Sequence, residues 1–538
     1  MLNKSITTAR AACLAGALCT LVFIQANAFA ASTLVYCSEA SPEGFNPAIY
    51  TSITTWDASS KPIFNRLLEF KPGSLEIVPA LAESWVASDD GLAYTFDLRK
   101  GVHFHNQAYF SPTRDFNADD VVFSVNRMLD PEHPYHHVGR GVYPVFESLG
   151  MDEVISRVEK LGPYRVRFHL SQPLAPFLAN IAMDFMSIQS AEYAEKLQAT
   201  GEEDQIDYQP IGTGPFLLES YRKDASISYR ANKLYWDGAP EIDRLIYDIT
   251  PDASVRYQKL INGECHVMGY PHPADLKSMR TNPEVRVLEA PGHNIGYLAF
   301  NTLKPPLDNV LVRRALALSI DREAILESVY LGNAIIADNP IPPTLKAWSE
   351  ATPKLTQQVD EARSLLKKAG YANGFDIELW AMPVQRAYNP NARRMAELIQ
   401  ADWNKIGVNA KIVSYEWGEY LSRSRNGEHE AILLGWTGQN ADADNFLYTM
   451  LSCASVNDAN RARWCDPIFD DLIRRARQEN DTTIRNALYK KAQAVFFKQM
   501  PWLPIAHSKG IVVIRKNVTG YKIDPLGGQR FNQVRLEN

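Results

Sequence analysis

Residues 375–413 read FDIELWAMPVQRAYNPNARRMAELIQADWNKIGVNAKIV, and residues 431–440 read AILLGWTGQN. Ile377-Glu378-Leu379-Trp380 predicts a strand, and the loop after it carries Arg386 and Tyr388. A helix follows. Asn391 is placed to cap it, since an Asx side chain accepts the first unpaired backbone N–H groups. Ala392, Met395, Ile399, Trp403 and Ile406 recur at helical spacing, and Gly407 stops the run. Ala410-Lys411-Ile412-Val413 predicts the next strand. Ala431-Ile432-Leu433-Leu434 is apolar throughout, as a central strand covered on both faces would be. It runs into a predicted loop over 435–440. Strand, helix and strand in this order predict an α/β sheet, and ligands meet such sheets beyond the carboxyl ends of the strands. Arg386 and the 435–440 loop occupy such ends, so a shared site is expected there.

Outward from this segment the same alternation continues. Tyr94-Thr95-Phe96-Asp97-Leu98 and Val166-Arg167-Phe168-His169-Leu170 alternate as half-buried strands do. Asn117 followed by Asp119 and Asp120 predicts a helix start, with Val121, Val122, Val125 and Leu129 on its apolar face. Asp252 opens another helix, with Val255, Leu260 and Ile261 inward and Gly263 as its stop. At 538 residues, with 46% hydrophobic and 22% charged, the chain has the composition of several soluble globular domains. A net charge of −6 excludes nucleic-acid binding by bulk charge.

Lys4 and Arg10, an apolar run over 11–24 and Ala28-Phe29-Ala30 predict a cleaved secretory signal over residues 1–30. The run is too short for a spanning helix. Loss of the two basic residues with the leader takes the net charge to −8. Four cysteines then remain, and an oxidising compartment favours two disulfides. Cys453 and Cys465 are near in sequence and form the expected short clip, worth roughly 3 kcal/mol by chain entropy; Cys37 is left for Cys265. A zinc site is the rival, but no C-x-x-C supports it.

No nucleophile elbow, zinc-protease motif, P-loop or dinucleotide fingerprint occurs, so no catalytic residue, metal site or cofactor is assigned. Gly212-Thr213-Gly214 reads as a tight turn. His133, His136 and His137 in a loop, and His103 and His105 on a strand-like stretch, read as exposed residues, with metal or haem contact as the alternative.

Six stretches carry a further signal: Thr33-Leu-Val-Tyr-Cys-Ser-Glu39 with Ser41-Pro-Glu-Gly-Phe-Asn-Pro47; Leu81-Ala-Glu-Ser-Trp85; Asn117-Ala-Asp-Asp-Val-Val-Phe-Ser124; Pro210-Ile-Gly-Thr-Gly-Pro-Phe216; Thr250-Pro-Asp-Ala-Ser-Val-Arg-Tyr257; and Trp380-Ala-Met-Pro-Val-Gln-Arg386, continuing through Tyr388 to Met395. In these the mature chain resembles, almost end to end, the dipeptide/haem-binding branch of the family 5 extracellular solute-binding proteins of ABC importers.

The resemblance implies a hinged, two-lobe periplasmic binding protein of the cluster C type, with an extra subdomain in the first lobe. Lobe I is expected over 31–292, lobe II over 293–507, and a return to lobe I over 508–538, with crossings near 291–295 and 505–510. It implies a short peptide as ligand, closure of the lobes around it, and delivery to an inner-membrane permease with cytoplasmic ATPases by a monomer. A haem or metallophore carrier on this scaffold is the second reading, and a periplasmic enzyme or chaperone the third. Residue by residue, Arg386 matches the arginine that holds a peptide's terminal carboxylate, and Tyr388 and Trp436 match its aromatic neighbours. The family's aspartate for the α-ammonium lies three residues after that tryptophan, where this chain has Gln439. Either this amide turns preference toward ligands with a neutral end, or Asp442 or Asp444 supplies the charge. Ile53 stands where close relatives have glycine, and with Thr54 it is expected to line and narrow the cleft.

Overall fold

The computed structural model describes residues 32–139 and 141–537, so the expected leader lies outside the described residues. Two large sheets organise the chain. The first has seven strands in the order Val285–Ala290, Gly510–Arg515, Val267–Gly269, Thr33–Ser38, Arg244–Ile249, Ser226–Ala231 and Phe216–Arg222. The second has six: Ala334–Ile336, Trp502–Ser508, Asn294–Phe300, Ala431–Thr437, Phe375–Trp380 and Val408–Val413. A separate four-stranded antiparallel sheet, built from Ala82–Ala87, Ala93–Leu98, Arg165–Leu170 and Ile155–Gly162, forms a further layer with its own core. This is an α/β protein of two lobes, the first carrying the extra subdomain.

The chain leaves the seven-stranded sheet at Ala290, enters the six-stranded sheet at Asn294, and makes the reverse passage between Ser508 and Gly510. The two passages run side by side. Asn294 Nδ2 donates to the Ser508 carbonyl at 3.1 Å, and the Ser508 N–H donates back to Asn294 Oδ1 at 3.0 Å. A Cβ on Gly292 would lie 1.9 Å from the Ser508 carbonyl oxygen, so only glycine fits there.

Local expectations hold in the second lobe, with one correction. Asn391 caps the helix Ala392–Asn404, accepting from the Arg394 N–H at 3.0 Å, and Met395, Ile399 and Trp403 are buried. The strand after Leu434 does not stop there; it runs to Thr437, because each residue pairs with Asn294–Phe300 as far as Thr437 opposite Asn294. Trp436 is therefore a strand residue. In the first lobe, Asn117 and Asp120 form a reciprocal capping box on Ala118–Leu129. That helix buries Val121, Val125 and Met128, while Val122 and Leu129 are only partly covered. The helix Ala253–Asn262 departs further: Val255 is exposed and Arg256 is buried in its place.

Both disulfides join the expected partners, Cys37 with Cys265 and Cys453 with Cys465. His103 and His105 lie on an irregular segment, not a strand, and His105 is buried, its Nε2 2.9 Å from the Gly214 carbonyl oxygen. His133 accepts the Tyr135 N–H, and His136 meets the Arg127 carbonyl at 3.0 Å, so these two rings serve local structure. Among the described residues no group of three His, Cys, Asp or Glu side chains is placed to hold a metal, and no helix is long and apolar enough to cross a membrane.

Candidate functional site

The second lobe's half of the site is built on a glycine floor. Gly296 and Gly435 are cross-strand partners, and Tyr388 lies over both. A Cβ on Gly435 would sit 2.2 Å from Tyr388 Cδ2, and one on Gly296 2.3 Å from the Tyr388 carbonyl oxygen. That carbonyl also accepts from the Tyr330 hydroxyl at 2.7 Å. Arg386 is held beside it by a reciprocal backbone pair with Asn389, both bonds 3.1 Å. Its guanidinium lies 5.1 Å from the Trp417 ring centroid and is exposed, with no ion pair among the described residues. Burial pushes the Tyr388 phenol up to about 12, against the charge and hydrogen bond of Arg386. A neutral phenol and a guanidinium with no ion pair among the described residues thus stand together, the guanidinium donating to the Gln385 carbonyl at 3.2 Å, a pair suited to an anionic group.

Trp436 and Gln439 are fixed by one residue. Asn445 Oδ1 accepts from Trp436 Nε1 at 3.1 Å and from the Gln439 N–H at 2.9 Å. The Gln439 carboxamide itself takes no hydrogen bond among the described residues and is half-buried. The two nearby acids are committed elsewhere. Asp442 pairs with Arg485 at 2.6 Å. Asp444, 1% exposed, lies 3.3 Å from Arg477 Nε, and burial pushes its carboxyl up with Arg477 opposing. The expectation that one of them stands in for an aspartate at 439 therefore meets two arginines that already hold them.

The first lobe contributes Ile53 and Thr54 from the start of the helix Ile53–Ala58. Thr54 Oγ1 donates to Glu39 Oε1 at 3.2 Å, and the Tyr36 hydroxyl reaches Glu39 Oε2 at 3.4 Å. Ile53 Cδ1 lies 3.0 Å from where a Cβ on Gly527 would sit, and Thr437 Cγ2 of the second lobe lies 4.0 Å from the same point. Ile53 thus reaches the line where the lobes meet. Beneath it runs a buried ionic layer in which burial would raise Asp184, but Lys61 and Arg66 bring it down to about 2. Sequence reasoning did not single out Glu39 as a site residue, nor Tyr270. Both directly follow strand ends of this lobe, but the strand before Tyr270 has only three residues and carries no local signal. The lobes also touch beyond the cleft, where Asn440 Nδ2 donates to Asn180 Oδ1 at 2.8 Å and the Ala175 N–H donates to the Arg477 carbonyl at 2.8 Å.

The family profile described as bacterial extracellular solute-binding proteins, family 5 Middle, matches residues 76–458. The Dipeptide-binding protein of Escherichia coli (strain K12) is 53% identical over 508 residues, covering 94% of this chain and 95% of that protein. Heme-binding protein A of Haemophilus influenzae is 46% identical over 513 residues, covering 95% and 94%. The crystal structure of a dipeptide binding protein from Pseudoalteromonas sp. SM9913 in complex with Met-Leu is 41% identical, with a TM-score of 0.87, covering 94% of this chain and 100% of that one.

Proposed function

The chain belongs to the bacterial extracellular solute-binding proteins of family 5, and on that premise we propose that it captures a dipeptide or a related, modified short peptide between its lobes. It then presents the closed form to an inner-membrane ABC permease, acting as a periplasmic monomer after removal of residues 1–30, with no catalytic step of its own. In this reading the lobes divide at 292/293 and 507/508. A ligand touching both lobes favours the closed state because it gains contacts there that it lacks in the open one. Arg386 takes the terminal carboxylate, with Tyr388 and Trp436 beside it. Gln439 meets the opposite end, and Ile53 and Thr54 cover the ligand from the first lobe.

The observation that carries this is the exposed, ion-pair-free Arg386 guanidinium on a rigid floor opposite the first lobe's edge. An amide at 439 accepts a bond from an ammonium without neutralising it, and a buried ammonium lacking a countercharge costs several kcal/mol. The favoured ligand therefore has a neutral group at that end. Calorimetry of the mature protein against Met-Leu and N-acetyl-Met-Leu, with hemin followed by absorbance, tests the reading. One-site binding of either peptide is the expected result. Tight hemin binding with no heat from either peptide would replace the peptide reading with a haem carrier.

A further inference from the structure

Thr33–Ser38 and Val267–Gly269 are adjacent parallel strands, Tyr36 opposite Val267 and Cys37 opposite Met268. Both release the chain at the same edge of the first lobe's sheet, the edge where open α/β sheets meet their ligands. Glu39 and Tyr270 directly follow these ends. Tyr270 has φ +50°, a left-handed conformation that is strained for a side chain with a Cβ. The other non-glycine residues with positive φ among the described residues have local reasons. Asp224 turns a hairpin, Leu331 and Met500 end helices, and Arg463 lies in the loop closed by Cys453 and Cys465. Tyr270 ends no helix and turns no hairpin.

Its conformation is held from behind. Arg256, 2% exposed, donates to the carbonyls of Thr250 at 2.9 Å, Pro251 at 2.7 Å and Tyr270 at 3.0 Å. Burial lowers this guanidinium's pKa, and the Glu39 carboxylate opposes that, so Glu39 is itself balanced by Arg256. In front, the half-buried Tyr270 ring points its hydroxyl at the Gly527 carbonyl, 3.4 Å away, next to Ile53 and Thr437 at the junction of the lobes. Burial and the Glu39 and Asp57 charges push this phenol well above its usual value, while Arg386 acts on it from the other lobe in the opposite sense. The hydroxyl is neutral at physiological pH and free to exchange its long bond for a better one.

We propose that Tyr270 is a specificity-determining contact of the first lobe, meeting the ligand across the cleft from Arg386, and that Arg256 is the positioning residue that holds its backbone. This deepens the peptide reading and rests on it. The strain gives a signature that a purely structural tyrosine lacks. Asparagine tolerates φ near +50°, so Tyr270→Asn relieves the backbone while removing the contact, and affinity and stability should part.

The test is calorimetry with Met-Leu and N-acetyl-Met-Leu, together with thermal unfolding of the ligand-free proteins. Tyr270→Phe is expected to weaken the tighter of the two peptides about tenfold, as loss of one hydrogen bond to a charged or polar ligand group does, with unfolding unchanged. Tyr270→Asn should weaken it at least as much without lowering the melting temperature. Arg256→Lys keeps the charge but not the fork, so it should weaken binding in the Tyr270 background and not in the Tyr270→Phe background. Wild-type affinity in both Tyr270→Phe and Tyr270→Asn overturns the role of Tyr270 while leaving the peptide reading intact. Failure of the wild type to bind either peptide overturns the peptide reading, and this inference with it.

Discussion

The two halves of the cleft spend their charges differently. In the second lobe Arg386 has no ion pair and the Gln439 carboxamide no hydrogen bond among the described residues, while Asp442 is bonded to Arg485 at 2.6 Å and the buried Asp444 faces Arg477 at 3.3 Å. In the first lobe the charges near the cleft already have partners: Asp184 has Lys61 at 2.8 Å, Glu69 has Arg66 at 2.8 Å and Arg530 at 2.9 Å, and Glu39 accepts from two hydroxyls. One half is an assembled wall and the other presents uncommitted groups. The difference teaches that an acid's nearness to a site in sequence says little about its availability. Withdrawing it from a buried partner costs several kcal/mol.

The largest test of that contrast is Asp444→Ala. Removing one member of a buried pair leaves Arg477 uncompensated, and such losses run to about 3–5 kcal/mol. Gln439→Ala, a few residues away, should stay within about 0.5 kcal/mol, because its side chain holds nothing. Urea unfolding of the two ligand-free variants measures both. Equal midpoints would erase the distinction between committed and uncommitted residues.

Arg386→Ala comes next, with the effects reversed. A lost charge-assisted bond of about 2–3 kcal/mol corresponds to roughly 30–150-fold weaker peptide binding. The ligand-free fold should be nearly unchanged, since an exposed charge without a partner contributes little to it. Thermal unfolding with and without peptide reads both numbers at once. A variant that still gains the wild-type ligand shift would show that the carboxylate is held elsewhere.

These two halves were unequally legible in the sequence. Around Arg386 the pattern is local: apolar spacing, the Asn391 cap and the Gly407 stop lie within one strand–helix–strand unit. Even there the strand end was missed, because Gly435-Trp436-Thr437 reads as a turn until Asn294–Phe300 is set against it. The first lobe's half is assembled from distant pieces. Tyr270 follows a three-residue strand whose neighbours are Thr33–Ser38 and Gly510–Arg515, and no local period marks so short an element. In the helix Ala253–Asn262 the apolar pattern singled out Val255 and not Arg256, yet Arg256 is the buried one. The order inverts because three carbonyls converge where the guanidinium lies, which only the folded chain reveals.

A smaller effect is expected at the junction between the halves. His507 lies in the strand Trp502–Ser508 just before the returning passage, buried, with Nδ1 2.7 Å from the Asn294 carbonyl oxygen. Burial pulls its pKa down to about 4, the hydrogen bond to Asn294 opposing. The unfolded chain therefore takes the proton first as pH falls. The stability this neutral ring contributes is complete above about pH 6.5 and is lost progressively from there toward pH 4. Asp57 and Asp444, whose carboxyls are raised, work in the opposite direction, so the test is a difference. His507→Gln should flatten the fall of melting temperature over this window by one proton's share. Identical slopes would mean that the ring is protonated in the folded protein.

The finest test is Gln439→Asp, which places a free carboxylate where the contrast says none is available. The backbone N–H of residue 439 is already fixed by Asn445, so the substitution changes charge with little change in loop geometry. In a closed cleft the new charge neutralises a ligand ammonium, and a net gain of about 1–2 kcal/mol corresponds to roughly 5–30-fold tighter Met-Leu binding. N-acetyl-Met-Leu should weaken by a similar factor, because the carboxylate must then be buried against a neutral amide. Asp442→Asn serves as the control. Its carboxylate is occupied by Arg485 at 2.6 Å, so the ratio of the two affinities should stay that of the wild type. Six calorimetric titrations, the three proteins against both ligands, decide the matter. If the wild type already prefers Met-Leu over its acetylated form and Asp442→Asn removes that preference, then Asp442 leaves Arg485 to serve the ligand, and the second lobe's acids are not committed in the way their ion pairs indicate.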